Sequence, residues 1–388
     1  MKMEQQKQRP EAQNLKTASS GAFFFMVVSL PFDGVIFHFS SFLLLITALF
    51  SVLSYRWETV QHSLEKYKSA HVAFLAIVLL MCLSNLLNQQ GLEAWDSTVK
   101  FIIRYWLMLA TLLYLLDQKF LTLRFILFAA LSSIAAQLLP FLPLIWSGDI
   151  FGTRFQGFTS NPNIMGIYAG LGIMIGVYLA ADKNSGMPIL RLLIALAVTL
   201  LSGAALLASG SRAGWVALIG GLACYMVFEL KRNAKTIMPM LAVLSIATAY
   251  IFTQFSLPKE RLELLLNGYP ALRDQVWENS LHLFTDKPFF GYGLDTRAAL
   301  LQNHQIYSEH NIFLSVLLAL GAFGLLAYCV LLFTLCWPTL KNRDAVGLSA
   351  MTFLMGVGMF GFDFYADQHF MVCFIIVSVL CLQRSYKV

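Results

Sequence analysis

The sequence predicts an all-α protein that crosses a membrane many times, and three observations predict it. Hydrophobic residues make up 58% of the 388, charged residues only 12%, and the mean hydropathy is +0.68. No single soluble core of this length hides that much apolar surface. The apolar residues also gather in runs near the roughly 17 to 25 residues that a helix needs to cross a bilayer. Finally, Lys and Arg fall largely on one side of the topology those runs define.

Twelve runs are read in order: 21–36, 40–55, 70–88, 99–117, 120–140, 163–181, 189–208, 213–230, 237–256, 311–336, 346–362 and 369–383. Pro31, Asp33 and Gly34 interrupt the first pair, which equally fits one re-entrant hairpin. Residues 1–20 are polar and mixed in charge, and they lack the apolar stretch and small-residue site of a cleaved signal. They read as a disordered cytoplasmic tail. The chain therefore divides into that tail, helices 1–9 within 21–256, a polar loop over 257–310, and helices 10–12 with a short tail in 311–388.

With the N-terminus inside, eighteen of the 27 Lys and Arg residues fall on the inner side and seven on the outer, while Lys100 and Arg104 lie in or beside the fourth run. Both termini are thus expected in the cytoplasm, because translocation of basic loops is disfavoured. Five of the seven outer residues (Lys259, Arg261, Arg273, Lys287, Arg297) belong to the long loop, where the rule weakens. The other two, Arg154 and Arg212, oppose the rule and need a reason. Arg104 is the deep exception, with Asp96, Asp117 or a lipid phosphate as its expected partner.

The net charge of +6 does not indicate a nucleic-acid partner, since the basic residues sit in short loops without interleaved aromatics. All six cysteines lie inside apolar runs, where a thiol acts as a small hydrophobe. No metal is expected. Asp363, Asp367 and His369 share a turn, but two carboxylates and one His without a second acidic motif read better as a solvated turn.

Arg154 lies in Gly152-Thr-Arg-Phe-Gln-Gly-Phe-Thr-Ser-Asn-Pro-Asn163, where Ser160, Asn161 and Asn163 are candidate caps and Pro162 suits a first helical turn. It reads either as a snorkelling residue or as an anion ligand. Arg212 lies in Ser209-Gly-Ser-Arg-Ala-Gly-Trp215, a tight turn entering a helix. Free N–H groups, the helix dipole and a guanidinium fork together favour phosphate there. Within the loop, Leu272, Val276, Trp277, Leu281 and Phe284 form one helical stripe, with Arg273, Asp274 and Glu278 largely off it. That helix is either a purely structural lid or one that also supplies Arg273 to a substrate. Asp286 to Leu294 reads as turns, while Arg297, His304 and His282 read as solvated. His310 stands where the loop enters the tenth run, on the same side as Arg212. It is either a helix-start surface residue or a general base, oriented by Glu309 or an aspartate.

These motifs resemble those of the O-antigen ligase and polymerase superfamily of bacterial cell envelopes. The resemblance rests on Arg154-Phe-Gln-Gly-Phe-Thr-Ser-Asn-Pro-Asn, Ser209-Gly-Ser-Arg212-Ala-Gly-Trp, Arg273 with Trp277 ahead of Lys287-Pro-Phe-Phe-Gly-Tyr-Gly, and His310-Asn-Ile-Phe-Leu followed by Gly321-Ala-Phe-Gly324. It covers residues 150–330 by motif and the remainder by span pattern. It implies a GT-C glycosyltransferase of the inner membrane with a periplasmic active site, needing neither nucleotide sugar, cofactor nor metal. In the ligases the donor is an undecaprenyl-diphosphate-linked polysaccharide and the acceptor a lipid A-core sugar. Carried over, Arg212 and Arg273 hold the diphosphate with Arg154 as an accessory basic residue, His310 is the base, and Asp367 and Asn311 are accessory. One long loop rather than two tilts the reading from polymerase to ligase. The alternative from another class is a transporter, which predicts ionisable residues near the midplane and paired broken helices.

Overall fold

The computed structural model describes residues 10–30, 35–54, 57–147, 153–159, 161–181, 188–254, 256–266, 273–294, 309–362 and 367–384. Among these residues the secondary structure is helical, without strands, as the membrane-spanning all-α reading requires. The helices are α1 (Pro10–Ser29), α2 (Val35–Ser54), α3 (Trp57–Lys66), α4 (Lys68–Leu87), α5 (Leu92–Asp117), α6 (Leu123–Leu138), α7 (Phe141–Ser147), α8 (Pro162–Ala181) and α9 (Pro188–Ser209). Then follow α10 (Arg212–Gln254), α11 (Ser256–Leu266), α12 (Arg273–Asp286), α13 (Ile312–Lys341), α14 (Ala345–Gly361) and α15 (Gln368–Arg384).

Among the described residues seven helical stretches are long and apolar enough to cross a bilayer, and three shorter apolar ones accompany them, where twelve crossings were expected of the chain. Two differences from the sequence reading have local causes. Residues 10–20, assigned to a disordered tail, form the first half of α1, whose start at Pro10 suits that residue's fixed φ. The runs 213–230 and 237–256 share one 43-residue helix, α10. Straight, it would extend roughly 64 Å. Yet Arg212 at its first turn donates from Nη1 to Leu264 O, beyond its last residue, at 3.2 Å. The helix therefore bends back strongly, and Pro239 inside it supplies the missing donor and the clash that cause a bend.

The bundle has two chemically distinct ends. At one, Asp117 closes α5 and accepts from Ser63 Oγ (2.9 Å), Lys66 Nζ (2.6 Å), Tyr67 OH (3.1 Å) and Gln383 Nε2 (3.3 Å), tying α3, α4, α5 and α15 together. Asp96 pairs with Lys100, so neither expected acid serves Arg104. Arg104 instead lies in a π-helical stretch of α5, Ile102–Leu107. At the opposite end α4 and α9 arrive, α8, α10, α13 and α15 begin, and the conspicuous arginines gather.

Close helix packing positions that end. On α8, a side chain at Gly166 would collide with Ser211, at Gly170 with Phe353, at Gly172 with Ser202 and at Gly176 with Thr199. Small residues let helices approach where lipid offers no hydrophobic drive for association.

A second device joins the polar segment to the bundle. Gly321 interrupts α13 with φ +69° and ψ −166°, which frees backbone groups inside an apolar span. Residues 288–293 satisfy them: Tyr292 N donates to Leu318 O (2.7 Å), Gly293 N to Ala319 O (2.9 Å), and Ala322 N to Pro288 O (2.8 Å). The end of α4 clamps the same strap, since Ser84 Oγ donates to Phe290 O, Asn88 Nδ2 to Gly291 O and Gln90 Nε2 to Tyr292 O. The turns expected over 286–294 are thus a strap that completes a broken helix.

Gly321→Ala should lower the thermal unfolding midpoint, because a Cβ there would lie 2.3 Å from Phe289 O and force a side chain into a left-handed conformation, costing more than about 1 kcal/mol. Gly21→Ala, where nothing lies within 4 Å, should leave the midpoint unchanged or raise it. Light-scattering-corrected fluorescence melts in detergent compare the two.

Candidate functional site

The site is built around the turn between α9 and α10. Gly210 adopts φ +60°, a conformation that favours glycine, and the flanking serines lock it. Ser211 Oγ accepts from Gly214 N at 3.2 Å as a helix cap, Ser209 Oγ accepts from Ser211 N at 3.2 Å, and Trp215 Nε1 reaches back to Leu206 O at 3.2 Å. Arg212 is therefore presented from the first position of α10 by a rigid base, half-buried.

Arg154 comes to the same turn from the loop before α8. Its Nε donates to Ser209 O at 2.9 Å and its Nη2 to Asn163 Oδ1 at 3.3 Å. That loop is pinned by Phe155 N donating to Ala208 O (2.9 Å) and Phe158 N donating to Gln137 Oε1 (2.9 Å), with Gly157 left-handed at φ +63°. Of the expected caps of α8, Asn161 acts, accepting from Asn163 N at 2.8 Å, while Ser160 lies outside the described residues.

Arg261, on α11, completes the cluster. The point where a Gly210 Cβ would stand is 3.4 Å from Arg154 Nε, 3.3 Å from Arg261 Cγ and 3.5 Å from Arg261 Nε. The sequence reading counted Arg261 among five basic loop residues without giving it a role. A short helix beginning at Ser256 is what turns it inward, and nothing in its local pattern signals that.

Arg273 opens α12. Burial, followed by the charge of Arg212, holds its guanidinium below the usual arginine range. Burial, then Arg261, then Arg212 do the same to Arg154. Both remain cations at neutral pH. Positive neighbours act on Arg154, Arg212 and Arg273, so these three and Arg261 form one concentration of like charge. The Lys66–Asp117 and Lys100–Asp96 ion pairs lie elsewhere in the bundle.

His310 is linked to this cluster through α12. Trp277, one turn after Arg273, donates Nε1 to Glu309 O at 3.1 Å and lies 6.1 Å, ring to ring, from Phe360. His310 itself is exposed and held at φ +50°, a left-handed conformation that His tolerates better than most residues. The Glu309 side chain is buried. Asn311 has a defined structural task, its Oδ1 accepting from Phe313 N (3.0 Å) and Leu314 N (3.2 Å) to cap α13. Asp367 likewise caps α15, accepting from Phe370 N at 2.8 Å. Asp363 lies outside the described residues, as do Arg297 and His304.

The expected stripe on α12 is corrected in part. Val276, Leu283 and Phe284 pack toward Leu318 and Tyr292, and Ser280 is buried, but Leu281 is 49% exposed. The buried face is rotated toward the strap, which leaves Arg273 half-buried beside Arg212 instead of off the packed side.

Residues 196–329 match the family described as O-antigen ligase. The matched stretch contains Arg212, Arg261, Arg273 and His310, whereas Arg154 and Asp367 lie outside it. An O-antigen ligase of Pseudomonas aeruginosa is 29% identical over 234 residues, covering 58% of this chain and 54% of that protein. The chain thus spans about half the length of this curated relative. The resemblance to the O-antigen ligase superfamily seen in the motifs is shown by both matches.

Four like charges on one rim oppose folding unless an anion joins them. Pyrophosphate should raise the unfolding midpoint of the purified protein, through binding to the folded state alone. Arg261→Gln, without any anion, should unfold at a higher temperature and with a weaker NaCl dependence than the parent. A midpoint insensitive to pyrophosphate, with unaltered salt dependence in the variant, would contradict the mutual repulsion.

Proposed function

We propose that the protein is an O-antigen ligase, moving a polysaccharide from undecaprenyl diphosphate to a lipid A-core sugar at the periplasmic face of the bacterial inner membrane. The observation that carries this reading is the meeting of Arg212 and Arg273, far apart in sequence, near enough that the charge of Arg212 acts on Arg273, at the bundle end where His310 stands. The ligase family match over 196–329 supports ligation over polymerisation.

In this reading Arg212 and Arg273 hold the diphosphate, with Arg154 as an accessory basic residue. His310 takes the proton of the acceptor hydroxyl as that oxygen forms its bond to the anomeric carbon. The bond from that carbon to the diphosphate oxygen breaks, the configuration inverts, and undecaprenyl diphosphate leaves. Negative charge grows on the leaving oxygen, so guanidinium groups favour the transition state over the ground state. They supply the positive charge that a metal supplies in other glycosyl transfers, so the reaction needs none. The donor is already activated, and no nucleotide enters.

The segment 257–310 acts as a lid: α12 covers the site, and its Trp277 fixes the residue before the base. The placement of the termini in the cytoplasm is supported by the eighteen-to-seven distribution of Lys and Arg. It is also supported by the position of the arginine cluster at the bundle end opposite Lys66 and Asp117. Exposed apolar side chains on α9, among them Ile189 and Leu193, suit contact with membrane lipids, from which both substrates arrive.

Reconstitution in liposomes with undecaprenyl-diphosphate glycan and lipid A-core tests the proposal, with product resolved on gels. His310→Ala should reduce transfer by about 10² to 10⁴-fold while insertion and the unfolding midpoint persist. Arg212→Lys should lose about 10²-fold or more, because a point charge does not replace a bidentate fork. Normal transfer by the His310 variant would remove the base assignment. Inhibition by chelators that Mg²⁺ or Mn²⁺ reverses would reopen a metal role.

A further inference from the structure

We infer that Arg154 and Arg261 form a second phosphate-binding subsite beside the Arg212–Arg273 pair, so that this rim holds two phosphate-bearing groups at once. The inference rests on the proposed function only for the assignment of Arg212 and Arg273 to the donor diphosphate.

The geometry supports a pair. Both Nε atoms lie within 3.5 Å of the point where a Gly210 Cβ would stand, so the two guanidinium groups flank a residue that has no side chain to separate them. Any other residue at this left-handed position would fill the gap. Arg154 is fixed by two neutral oxygens, Ser209 O and Asn163 Oδ1, which orient its fork without cancelling its charge. The carboxylates on the helix of Arg261, Glu260 and Glu263, are exposed, and neither comes within 4.0 Å of an arginine. Burial and the nearness of Arg261 both disfavour the charge on Arg154, and such an arrangement persists most readily when an anion neutralises it.

Charge balance separates this pair from the first. A diphosphate esterified at both ends carries two negative charges, which Arg212 and Arg273 match. Arg154 and Arg261 leave two further positive charges on the same rim. Planar forks that approach from two elements suit the tetrahedral oxygens of a phosphate monoester or diester. The phosphate has two sources, a phosphate substituent of the acceptor lipid or free inorganic phosphate.

The test uses the full chain in nanodiscs saturated with an undecaprenyl-diphosphate-linked glycan, whose diphosphate is esterified at both ends, and titrated calorimetrically with inorganic phosphate. One further equivalent should bind. R261Q should weaken that event by about tenfold or more, the loss expected for charge-assisted hydrogen bonds, while binding of the lipid-linked donor changes little. The Arg261 side chain gives up no hydrogen bond to a described residue, and R154Q/R261Q, read for phosphate alone, should weaken the event further. R154K/R261K should keep weaker phosphate binding. Competition by phosphorylated but not dephosphorylated lipid A-core identifies the acceptor as the source, and phosphate binding unaffected by either identifies free phosphate. Two results overturn the inference: no second equivalent in the parent protein, or a loss of donor binding in R261Q equal to that in Arg212→Gln. Should Arg212→Gln bind the donor normally, the donor assignment fails, while phosphate titration without donor still reads the pair.

Discussion

The structure depends on holding like charges together at the rim of an apolar bundle. Four guanidinium groups near one turn repel, and the weaker the solvation, the stronger the repulsion. The fold counters this with rigidity. Gly210 admits a backbone path that lets Arg154 and Arg261 approach from two directions, and the carbonyl of Ser209 anchors one of them. Ser211 caps α10 so that Arg212 leaves from a fixed point. The glycines of α8 bring α9 and α14 close enough to seat that turn. Such strain at a rim is expected of a binding site, where ligand affinity is gained at the expense of the empty fold.

The break in α13 solves a different problem with a consequence for the same site. A helix interrupted inside a membrane exposes donors and acceptors that lipid does not satisfy. The strap 288–293 satisfies them, and it does so while held by Ser84, Asn88 and Gln90 at the end of α4. Because the strap follows α12 directly, that helix is fixed at its C-terminal end to both α4 and α13. Its N-terminal end then has a defined reach, which places Arg273 beside Arg212 and Trp277 against Glu309 O. The glycine motifs near 291 and 321, distant in sequence, are two halves of one joint.

Hydropathy made the helices legible, because a bilayer imposes one length and one polarity on whatever crosses it. The distribution of Lys and Arg made Arg154 and Arg212 conspicuous, since they opposed a strong rule. Arg261 was not legible. In a loop with four other basic residues it carried no contrast, and its role comes from the bend of α10, which no local pattern encodes beyond Pro239. The stripe on α12 failed at Leu281 for a related reason: the strap, a partner outside the helix, decides which face is buried. Asn311 and Asp367 were legible as polar residues near the site, and the structure gives each the cap of a helix.

The two ends of the bundle show how a buried charge declares its purpose. Asp117 meets an ammonium, two hydroxyls and an amide, so its charge is spent inside the molecule and ties four helices together. A group so satisfied has little left to offer a ligand. Arg154 meets neutral oxygens and positive neighbours, so its charge stays available. Both groups are partly buried, and burial alone does not distinguish them. The sign of what surrounds them does, and that sign is the ground for proposing an anion at the end of the bundle built around Gly210.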